Sequence, residues 1–403
     1  MDPALPNIRH LYALHEVGQC KRINQAATRV HMSQPAVTQA VAKVERAFGE
    51  QMFDRRPDGL FPTDAGTLIL KRVSRALTLL KEGERLARRK IGGVGRAGFH
   101  RLTTGTQLRA LTAVAKTGNF SHAAQHLKIS QPAVHRAARE LERLADFPFY
   151  EPLRKGVGLS PAAEIFAQHV RLAVSEYRQA HYEISAFQGH DSTRIVVGSL
   201  PLARTSIVPQ AIDQLLSEAK GTLQIQCESA PFDALLRDLR FGDVDVMVGA
   251  LRDPPPAEDV VQECLFSDRL FVVAAHDHPL VGRKGISLED TLEYPWIAPP
   301  KSTPSGTYLF ESLRIPQLPD TPVRIVASSM VLIRGLMQRG QYVTVMSERQ
   351  IEVERKSGFI APLDIDLADS ARDIGLTYRS GWTPTQTQAR FLDLLRNAAR
   401  NCD

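Results

Sequence analysis

The sequence predicts a mixed architecture in which two small, mostly helical winged helix-turn-helix units precede an α/β module of two lobes. Three observations indicate it: an internal repeat, a change of hydrophobic period near residue 191, and an uneven distribution of charge. The repeat is plainest where Ser-Gln-Pro-Ala-Val at 33–37 returns unchanged at 130–134. Residues 1–190 hold 28 Lys and Arg against 16 Asp and Glu, a net charge of +12, and the remainder holds 22 against 28. A basic front half suits a polyanionic partner, whereas an acidic back half has another task.

Each repeat copy spans about 60 residues and begins with two predicted helices. Apolar residues at helical spacing indicate the first helix, which we expect to end at Gly18 in copy one and at Gly118 in copy two. The second helix is expected over 24–32 and 121–129, respectively. It contains a pair of alanines in each copy, which should face inward where two helices approach closely.

A third helix follows in each copy, with Ser33 or Ser130 placed to cap its N-terminus and a proline in its first turn. A proline is tolerated there, because its missing N–H would lack a helical partner in any case. Residues 53–63 and 150–160 then combine turn residues and basic side chains between short extended runs, which indicates a hairpin wing. Helix, tight turn and polar-faced helix form a helix-turn-helix, a motif whose second helix enters the major groove of DNA.

A long helical pattern follows each winged unit, with an apolar stripe that is narrow for packing on a domain core. We expect these two linker helices to pair with another chain; the alternative is that they pack back on their own domain. Four glycines between residues 92 and 98 mark a hinge. The predicted boundaries are 1–66 for the first winged unit, 67–98 for its linker and hinge, 99–161 for the second winged unit, 162–190 for its linker, and 191–403 for the two-lobed module, with a second lobe at about 267–345.

From residue 194 onward, short β-rich runs alternate with helical patterns, which predicts parallel sheets flanked by helices. Two adjacent runs, at 260–266 and 269–275, look antiparallel and suggest a switch into a second lobe with a later return. We therefore expect a two-lobed α/β module with a cleft between its sheets. The other predicted strands lie at 195–198, 223–227, 244–248, 323–327, 342–346 and 374–378.

Taken together, these features give the sequence a specific resemblance to the LysR-type transcriptional regulators over nearly its full length, with an unusual second winged helix-turn-helix. The matching residues are 33–37 and 53–66 in copy one, 116–121, 123–124 and 130–134 in copy two, and 228–249 and 278–280 in the two-lobed module. The resemblance implies a periplasmic-binding-protein-like (type 2) effector module and DNA binding that a small molecule modulates. Residues 198–204 are most similar to the branch that regulates sugar uptake and aromatic-acid breakdown.

In that family the third helix faces DNA with its Ser-Gln-Pro and with two residues that follow its Ala-Val. The DNA-contacting residues that the resemblance implies are Ser33, Gln34, Pro35, Thr38, Gln39, Arg55 and Arg56 in copy one, and Ser130, Gln131, Pro132, His135, Arg136, Arg154 and Lys155 in copy two. Gln39 departs from the usual Arg, which Arg136 keeps, and copy two has Pro152 where the first wing is basic. Gln pairs with adenine and Arg with guanine in the major groove, while basic wing residues neutralise phosphates or enter the minor groove. A solvated helix face is the alternative for any single one of these residues.

The effector cleft is expected at the carboxyl ends of strands, beside helix N-termini whose free N–H groups favour anions. Arg204 and Lys301 facing one cleft would select a carboxylate or another organic anion, and the alternative is that both are surface charges near its rim. The predicted effector-binding residues are Ser199, Arg204, Thr205, Ser229, Phe232, Lys301, Ser302 and Thr303.

The sequence has no motif of a readily recognised enzyme class: the nucleophile elbow, the phosphate-binding P-loop and the dinucleotide fingerprint are all absent. Four widely spaced cysteines suggest neither a zinc site nor a disulfide framework. The histidine pairs at 122/126 and 276/278 have no evident third ligand, so we predict no metal and no cofactor. No stretch resembles a targeting or membrane segment, and a reducing cytoplasm fits.

We therefore predict a cytoplasmic, sequence-specific DNA-binding transcriptional regulator, not an enzyme, whose DNA binding responds to an organic acid or a sugar derivative. Its expected partners are double-stranded DNA, that effector and further copies of itself, as a homodimer or a homotetramer, and no membrane. A homodimer would present four winged units, and pairing through a linker helix would favour palindromic half-sites. Two rivals stay open: a ligand-binding or scaffold protein with degenerate helix-turn-helix units, and an enzyme that uses the two-lobed cleft.

Overall fold

The computed structural model describes residues 6–154, 156–205, 207–219 and 221–400. The chain forms two compact units. Of the described residues, the first unit comprises those within 6–194, 221–224 and 240–243, and the second comprises those within 195–219, 225–239 and 244–400. No helix in the described ranges is long and apolar enough to span a lipid bilayer.

Both repeat copies in the first unit fold as three helices and an antiparallel two-stranded hairpin, followed by one long helix. Copy one consists of α1 (Ile8–Cys20), α2 (Ile23–Val30), α3 (Gln34–Phe48), β1 (Phe53–Arg56), β2 (Gly59–Pro62) and the long helix α4 (Asp64–Lys90). Copy two consists of α5 (Gly105–Thr117), α6 (Phe120–Leu127), α7 (Gln131–Ala145), β3 (Tyr150–Leu153), β4 (Gly156–Leu159) and the long helix α8 (Pro161–Phe187). The predicted winged helix-turn-helix is therefore confirmed twice.

Local capping sets the end of α5 and the start of α3. Gly118 adopts a left-handed backbone conformation, with φ 61°, and its N–H donates to the carbonyl of Val114. Helix α5 therefore ends where the sequence predicts. Ser33 caps α3 by accepting a hydrogen bond from the N–H of Ala36 at 3.4 Å. The expected cap of α7 is wrong in one respect, because Ser130 holds the N-cap position without a side-chain capping bond.

Helix α1 runs past its predicted end at Gly18 and stops at Cys20. The left-handed residue that closes it is Lys21, at φ 57°, whose N–H donates to the carbonyl of Val17. Gly18 serves close packing instead, since a Cβ at this position would lie 2.9 Å from Leu70 Cδ1 on α4. This glycine therefore marks a close approach of two helices rather than a helix end.

Each wing is fixed to the turn between the first two helices of its copy. The N–H of Leu60 donates to the carbonyl of Lys21 at 2.8 Å, and the N–H of Val157 donates to the carbonyl of Gly118 at 2.9 Å. Gly156 precedes the second of these contacts at φ 100°, and a Cβ there would collide with the Gly118 carbonyl oxygen. Only glycine combines this backbone angle with so close an approach.

A single hydrophobic core runs through the first unit, from both winged units into both long helices. The alanine pairs at 26–27 and 123–124 face it, with exposed fractions of 0% and 5% in each copy. Their predicted inward orientation is therefore confirmed.

The long helices α4 and α8 pack against each other within the chain in antiparallel orientation. Arg72, early in α4, contacts Glu176 and Glu183 in the second half of α8, whereas Gly83, further along α4, lies against His169 in the first half. The prediction that the two stripes pair with another chain is wrong for these faces, because each stripe covers the other. The buried apolar residues include Ile69, Val73, Leu77 and Leu80 on α4 and Phe166, Val170, Ala173 and Tyr177 on α8.

The second unit contains two five-stranded sheets flanked by helices. Its helices and strands are β5 (Arg194–Ser199), α9 (Ile207–Glu218), β6 (Gln224–Glu228), α10 (Phe232–Arg240), β7 (Val246–Ala250), β8 (Val260–Asp268), β9 (Leu270–Ala275), β10 (Trp296–Ala298), α11 (Pro304–Thr307), β11 (Val323–Val326), α12 (Met330–Met337), β12 (Val343–Ser347), α13 (Glu352–Lys356), β13 (Ile360–Pro362), β14 (Arg372–Arg379) and α14 (Gln386–Arg400). The strand orders are β6-β5-β7-β14-β8 and β11-β10-β12-β9-β13. The chain therefore enters the second lobe after β8 and returns after β13, and this lobe reaches beyond the predicted end at 345.

Both sheets are mixed, which corrects the prediction of parallel sheets. β5 is parallel to β7, and β10 is parallel to β11 and β12. β14 is antiparallel to β7 and β8, and β9 is antiparallel to β12 and β13. The antiparallel strands β9 and β14 are the ones that arrive directly from the other lobe, so no helical crossover requires them to run parallel to their neighbours.

His181 on α8 is placed where a neutral imidazole is favoured. Its ring stacks on Phe48 of α3 with centroids 4.1 Å apart, and Tyr177 lies against it at 5.0 Å. Its Nε2 has no hydrogen-bond partner in the described part of the chain. Burial lowers the pKa of His181 to about 4.

We expect the free energy of unfolding to fall as the pH drops from about 6.5 to about 4. Below pH 6.5 the unfolded chain protonates this histidine, whereas the folded chain resists protonation down to about pH 4. Stability is therefore lost across that window, by about 3 kcal/mol in total at about 1.4 kcal/mol per pH unit. Urea unfolding at about pH 7 and about pH 4.5, followed by circular dichroism, measures the loss. His181→Leu should weaken the pH dependence, and His126→Leu, exposed on α6, should not; equal pH profiles for both variants would contradict this origin.

Candidate DNA-binding surface and effector cavity

The start of α3 presents one polar face to solvent and one apolar face to the core. The predicted contacts Ser33, Gln34, Pro35, Thr38 and Gln39 are all exposed. Val37 and Ala40, which lie between and after them, are buried at 0% and 1% exposure. The Thr38 hydroxyl donates to the carbonyl of Gln34 at 3.1 Å. The Gln39 side chain is exposed and makes no hydrogen bond within the described residues, so its amide is available to a base edge.

Helix α7 presents the equivalent face in copy two. Ser130, Gln131, Pro132, His135 and Arg136 are exposed, while Val134 and Ala137 are buried. The His135 ring meets Phe120 of α6 edge-on, with centroids 5.2 Å apart, which fixes its orientation. Arg136 has no carboxylate partner within the described part of the chain, whereas Arg139, one turn further, pairs with Glu142 at 2.7 Å. The guanidinium of Arg136 is therefore free to meet an external acceptor.

The two wings differ in charge. In the first wing Arg55 and Arg56 are exposed on β1, and Arg56 lies over the Phe61 ring at 4.9 Å and 3.9 Å from Asp54. Lys21 lies 4.7 Å from the centroid of the same ring. This basic residue was not among the predicted contacts, because it lies in the turn between α1 and α2 and only the fold brings it to the wing. The second wing has exposed Pro152 and Leu153 at the equivalent strand positions and exposed Arg154 at its turn. Lys155 lies outside the described residues.

A cavity of about 480 Å³ in the second unit lies between its two lobes. Five of the eight predicted effector residues line it: Arg204, Ser229, Phe232, Ser302 and Thr303. Ser229 and Phe232 follow β6 of the first sheet, whereas Ser302 and Thr303 follow β10 of the second sheet. Residues that follow strands of both lobes therefore meet at one cavity, as the sequence predicts from the positions of the strand ends.

The other three predicted residues do not line this cavity. Ser199 is buried, and its carbonyl and hydroxyl accept hydrogen bonds from Arg204, at 2.6 Å from Nη2 and 3.2 Å from Nε. Thr205 donates to the carbonyls of Leu202 and Arg349. The Lys301 side chain is 61% exposed and lies 3.7 Å from Glu311. Ser199 and Thr205 therefore support the cavity wall, and Lys301 does not face Arg204 across the cleft.

Two arginines outside the predicted set also line the cavity. Arg252 lies over the Phe232 ring at 4.5 Å and approaches the carbonyl of Ser302 at 3.5 Å. Arg372 also lines the cavity, and its buried Nε has no hydrogen-bond partner within the described residues. Arg252 lies two residues after the end of β7, so the strand-end argument could have found it. Arg372 begins β14, and only the antiparallel direction of that strand brings its first residue to the carboxyl ends of its neighbours.

Three arginines and one carboxylate, Asp233, line the cavity, so the lining carries an excess of positive charge. Burial lowers the pKa values of the Arg204, Arg252 and Arg372 guanidinium groups, since each gives up solvation. Asp268 at the end of β8 is the carboxylate that acts electrostatically on Arg372, and its own pKa is raised by burial. Partly desolvated guanidinium groups recover the lost solvation when a carboxylate binds them, often through two parallel hydrogen bonds.

Two family models match the chain. The model described as "Bacterial regulatory helix-turn-helix protein, lysR family" matches residues 8–67 and again 106–164. The "LysR substrate binding domain" model matches residues 188–400.

Among curated proteins, the chain is 30% identical over 396 residues to the HTH-type transcriptional regulator GalR of Pseudomonas putida, covering 98% of both chains. It is 28% identical over 293 residues to the HTH-type transcriptional regulator PcaQ of Agrobacterium fabrum, covering 72% of this chain and 94% of that one. Among solved structures, a full-length OxyR variant from Pseudomonas aeruginosa matches with a TM-score of 0.52 at 20% identity, covering 73% of this chain and 94% of that one. At this identity the structural match concerns the fold.

Proposed function

Since the chain belongs to the LysR family of DNA-binding transcriptional regulators, we propose that it controls transcription in response to an organic anion bound in its cavity. The observation that supports the anion most directly is the convergence of Arg204, Arg252 and Arg372 on one space of about 480 Å³. Closure of the two lobes around the anion would shift the population of conformations that bind DNA.

The chemistry of the lining favours a small acid with an apolar body. Cavities that hold small ligands typically measure about 300–1,000 Å³, so the size is suitable. Phe232 offers an apolar surface, while Ser302 and Thr303 offer polar groups from the opposite lobe. Asp233 acts electrostatically on Arg252 and Asp268 on Arg372, so two carboxylates face three guanidinium groups, and a carboxylate ligand would supply the missing counter-charge. An aromatic acid or a sugar acid satisfies both requirements.

Double-stranded DNA is the proposed macromolecular partner, and the cytoplasm is the proposed site of action. The polar faces of α3 and α7 supply base contacts, and the basic wing of copy one supplies phosphate contacts. Further copies of the chain would add to the DNA contact as a homodimer or a homotetramer. We assign the chain no catalytic reaction; the relatives that it matches are named as transcriptional regulators.

A gel shift of the full chain with the duplex upstream of its own gene tests the DNA-binding function. We expect a complex that survives an excess of random duplex. A complex that random duplex removes as readily as unlabelled target would favour the scaffold protein with degenerate helix-turn-helix units instead.

Carboxylic acids should raise the melting temperature of the full chain, and their uncharged amides should not. Benzoate and succinate are compared with benzamide and succinamide. A ligand present at about 100 times its Kd stabilises the folded state by about 2.7 kcal/mol, which is readily seen in a melting curve. Arg252→Gln and Arg372→Gln should each abolish the shift that the acid causes.

Lys301→Gln is the matched control. Lys301 is cationic and directly precedes Ser302 and Thr303, which line the cavity, but it does not line the cavity itself. It should leave the acid-induced shift unchanged. Stabilisation by the amides as large as that by the acids, or a shift that persists in both arginine variants, would refute the anion assignment.

A further inference from the structure

The pairing of α4 with α8 relates the two repeat copies by a local two-fold axis. Each helix follows the wing of its copy and spans 27 residues, so the two are equivalent at the repeat offset of 97. Arg72 on α4 donates from Nη1 to Oε1 of Gln179 on α8 at 2.7 Å. The equivalent positions with the copies exchanged are His169 and Glu82, which lie at one contact: a Cβ on Gly83, next to Glu82, would lie 2.5 Å from Cβ of His169, and His169 acts electrostatically on Glu82. The contact between position 72 of copy one and position 179 of copy two therefore has a counterpart between the equivalent positions, 169 of copy two and 82 of copy one. Such reciprocal contacts are the property of a two-fold axis.

Each winged unit is also held by the long helix of the other copy. Phe48, at the end of α3, packs on Tyr177 and His181 of α8, with ring centroids 5.4 and 4.1 Å apart. In the other direction, the Glu84 carboxylate of α4 contacts His100, which lies in the segment before α5. It accepts a hydrogen bond from the backbone N–H of His100 and lies 2.5 Å from the ring Nδ1. Both winged units are therefore fixed to one antiparallel helix pair.

Charges buried between the long helices favour the pairing of unlike helices. Arg72 has an exposed fraction of 0% and donates to Glu176 and Glu183 of α8. The residues of α4 at the equivalent positions are Leu79 and Leu86. Two α4 helices from different chains would offer Arg72 only Glu82, at the position of Gln179, in place of Glu176 and Glu183, so α8 supplies this buried cation with one carboxylate more. One chain supplies both unlike halves, so the two-fold arrangement forms without a second chain.

The faces that the two units offer to DNA are not the same. Copy one has Thr38 and Gln39 where copy two has His135 and Arg136. Gln forms two hydrogen bonds with adenine and Arg forms two with guanine, so equivalent positions select different bases. The wings differ as well, with arginines at 55–56 in copy one and Pro-Leu in copy two.

We propose that one chain binds an operator of two unlike half-sites in inverted orientation, with copy one on one half-site and copy two on the other. The inversion follows from the two-fold axis, because units related by such an axis meet DNA in opposite directions. The difference between half-sites follows from the two residue pairs. This inference rests on the proposed DNA-binding function.

Selection of binding sequences from a random duplex library with the full chain tests the proposal. We expect one motif with two different arms in inverted orientation. Gln39→Ala should relax base preference in one arm only, and Arg136→Ala in the other arm only, by about 5- to 150-fold at the contacted base. Arg85→Ala, exposed on α4, is the control that should leave both arms unchanged.

Identical arms that both relax in either variant would overturn the inference while leaving DNA binding intact, since the same unit would then serve both arms. A motif with a single arm would overturn it too. Enrichment of no sequence would overturn the proposed function and this inference together.

A mixing experiment shows whether both arms are bound by the same chain. Gln39→Ala chains and Arg136→Ala chains are combined in equal amounts on the selected duplex. If one chain covers both arms, the mixture binds no more tightly than the better single variant. Recovery of the affinity of the unmodified chain would overturn the proposal, because intact units from two different chains would then share one operator.

Discussion

Arg72→Met is expected to lower the free energy of unfolding by about 3–5 kcal/mol, because it removes the cation from a buried ion cluster. The Arg72 side chain is fully buried and donates to Glu176, Gln179 and Glu183 of α8 at 3.0, 2.7 and 2.5 Å. Methionine fills similar space but leaves the two carboxylates without this partner. Arg75 still contacts Glu176, so Glu183 loses most. Urea unfolding of the full chain, followed by far-UV circular dichroism, measures the change.

Arg85→Met is the matched control on the same helix. Arg85 is exposed and pairs with Glu82 one turn away, and such surface pairs contribute about 0–1 kcal/mol. A further variant that replaces Arg72, Glu176 and Glu183 together by apolar residues should regain most of the lost stability, since no buried charge then remains. Equal losses in Arg72→Met and Arg85→Met would contradict the assignment of a buried cluster.

DNA affinity is expected to fall about 10³- to 10⁵-fold between about 50 and 200 mM salt, the range for a protein that makes about six to ten phosphate contacts. The reason is that each neutralised phosphate releases counterions, and the basic residues that could do this are concentrated in residues 1–190, with their net charge of +12. Anisotropy of a labelled duplex over a series of KCl concentrations gives the slope of log affinity against log salt. We expect a slope of about −5 to −9.

Single variants locate the origin of this slope. Arg55→Gln, in the first wing, should make the slope less steep by about 1 and weaken all sequences alike. Arg324→Gln, exposed on β11 of the second unit, should leave it unchanged. A slope near zero for the unmodified chain, or equal effects of the two variants, would show that the basic front half does not carry the phosphate contacts.

The predicted base-contacting residues are exposed on both third helices because local signals place them there. A serine at the N-cap position, a proline in the first turn and a buried valine three residues after the glutamine fix which side of α3 or α7 faces outward. The lining of the candidate effector cavity was predictable only in part. Residues after β6 and β10 reach it through a rule about parallel strands, whereas Arg372 reaches it because β14 runs the other way.

The sequence by itself determined the two winged units, the positions of most strands and the uneven charge, because each depends on neighbouring residues: capping, helical or strand periodicity, and composition. It also determined that α4 and α8 each bury a stripe. Only the tertiary structure decided that the two stripes bury each other, that the sheets are mixed, and that Arg252 and Arg372, not Lys301, join Arg204. The physical reason is that hydrophobic periodicity specifies which face of a helix or strand is buried but not which other element packs against that face. Strand direction and cavity lining likewise depend on residues that are distant along the chain.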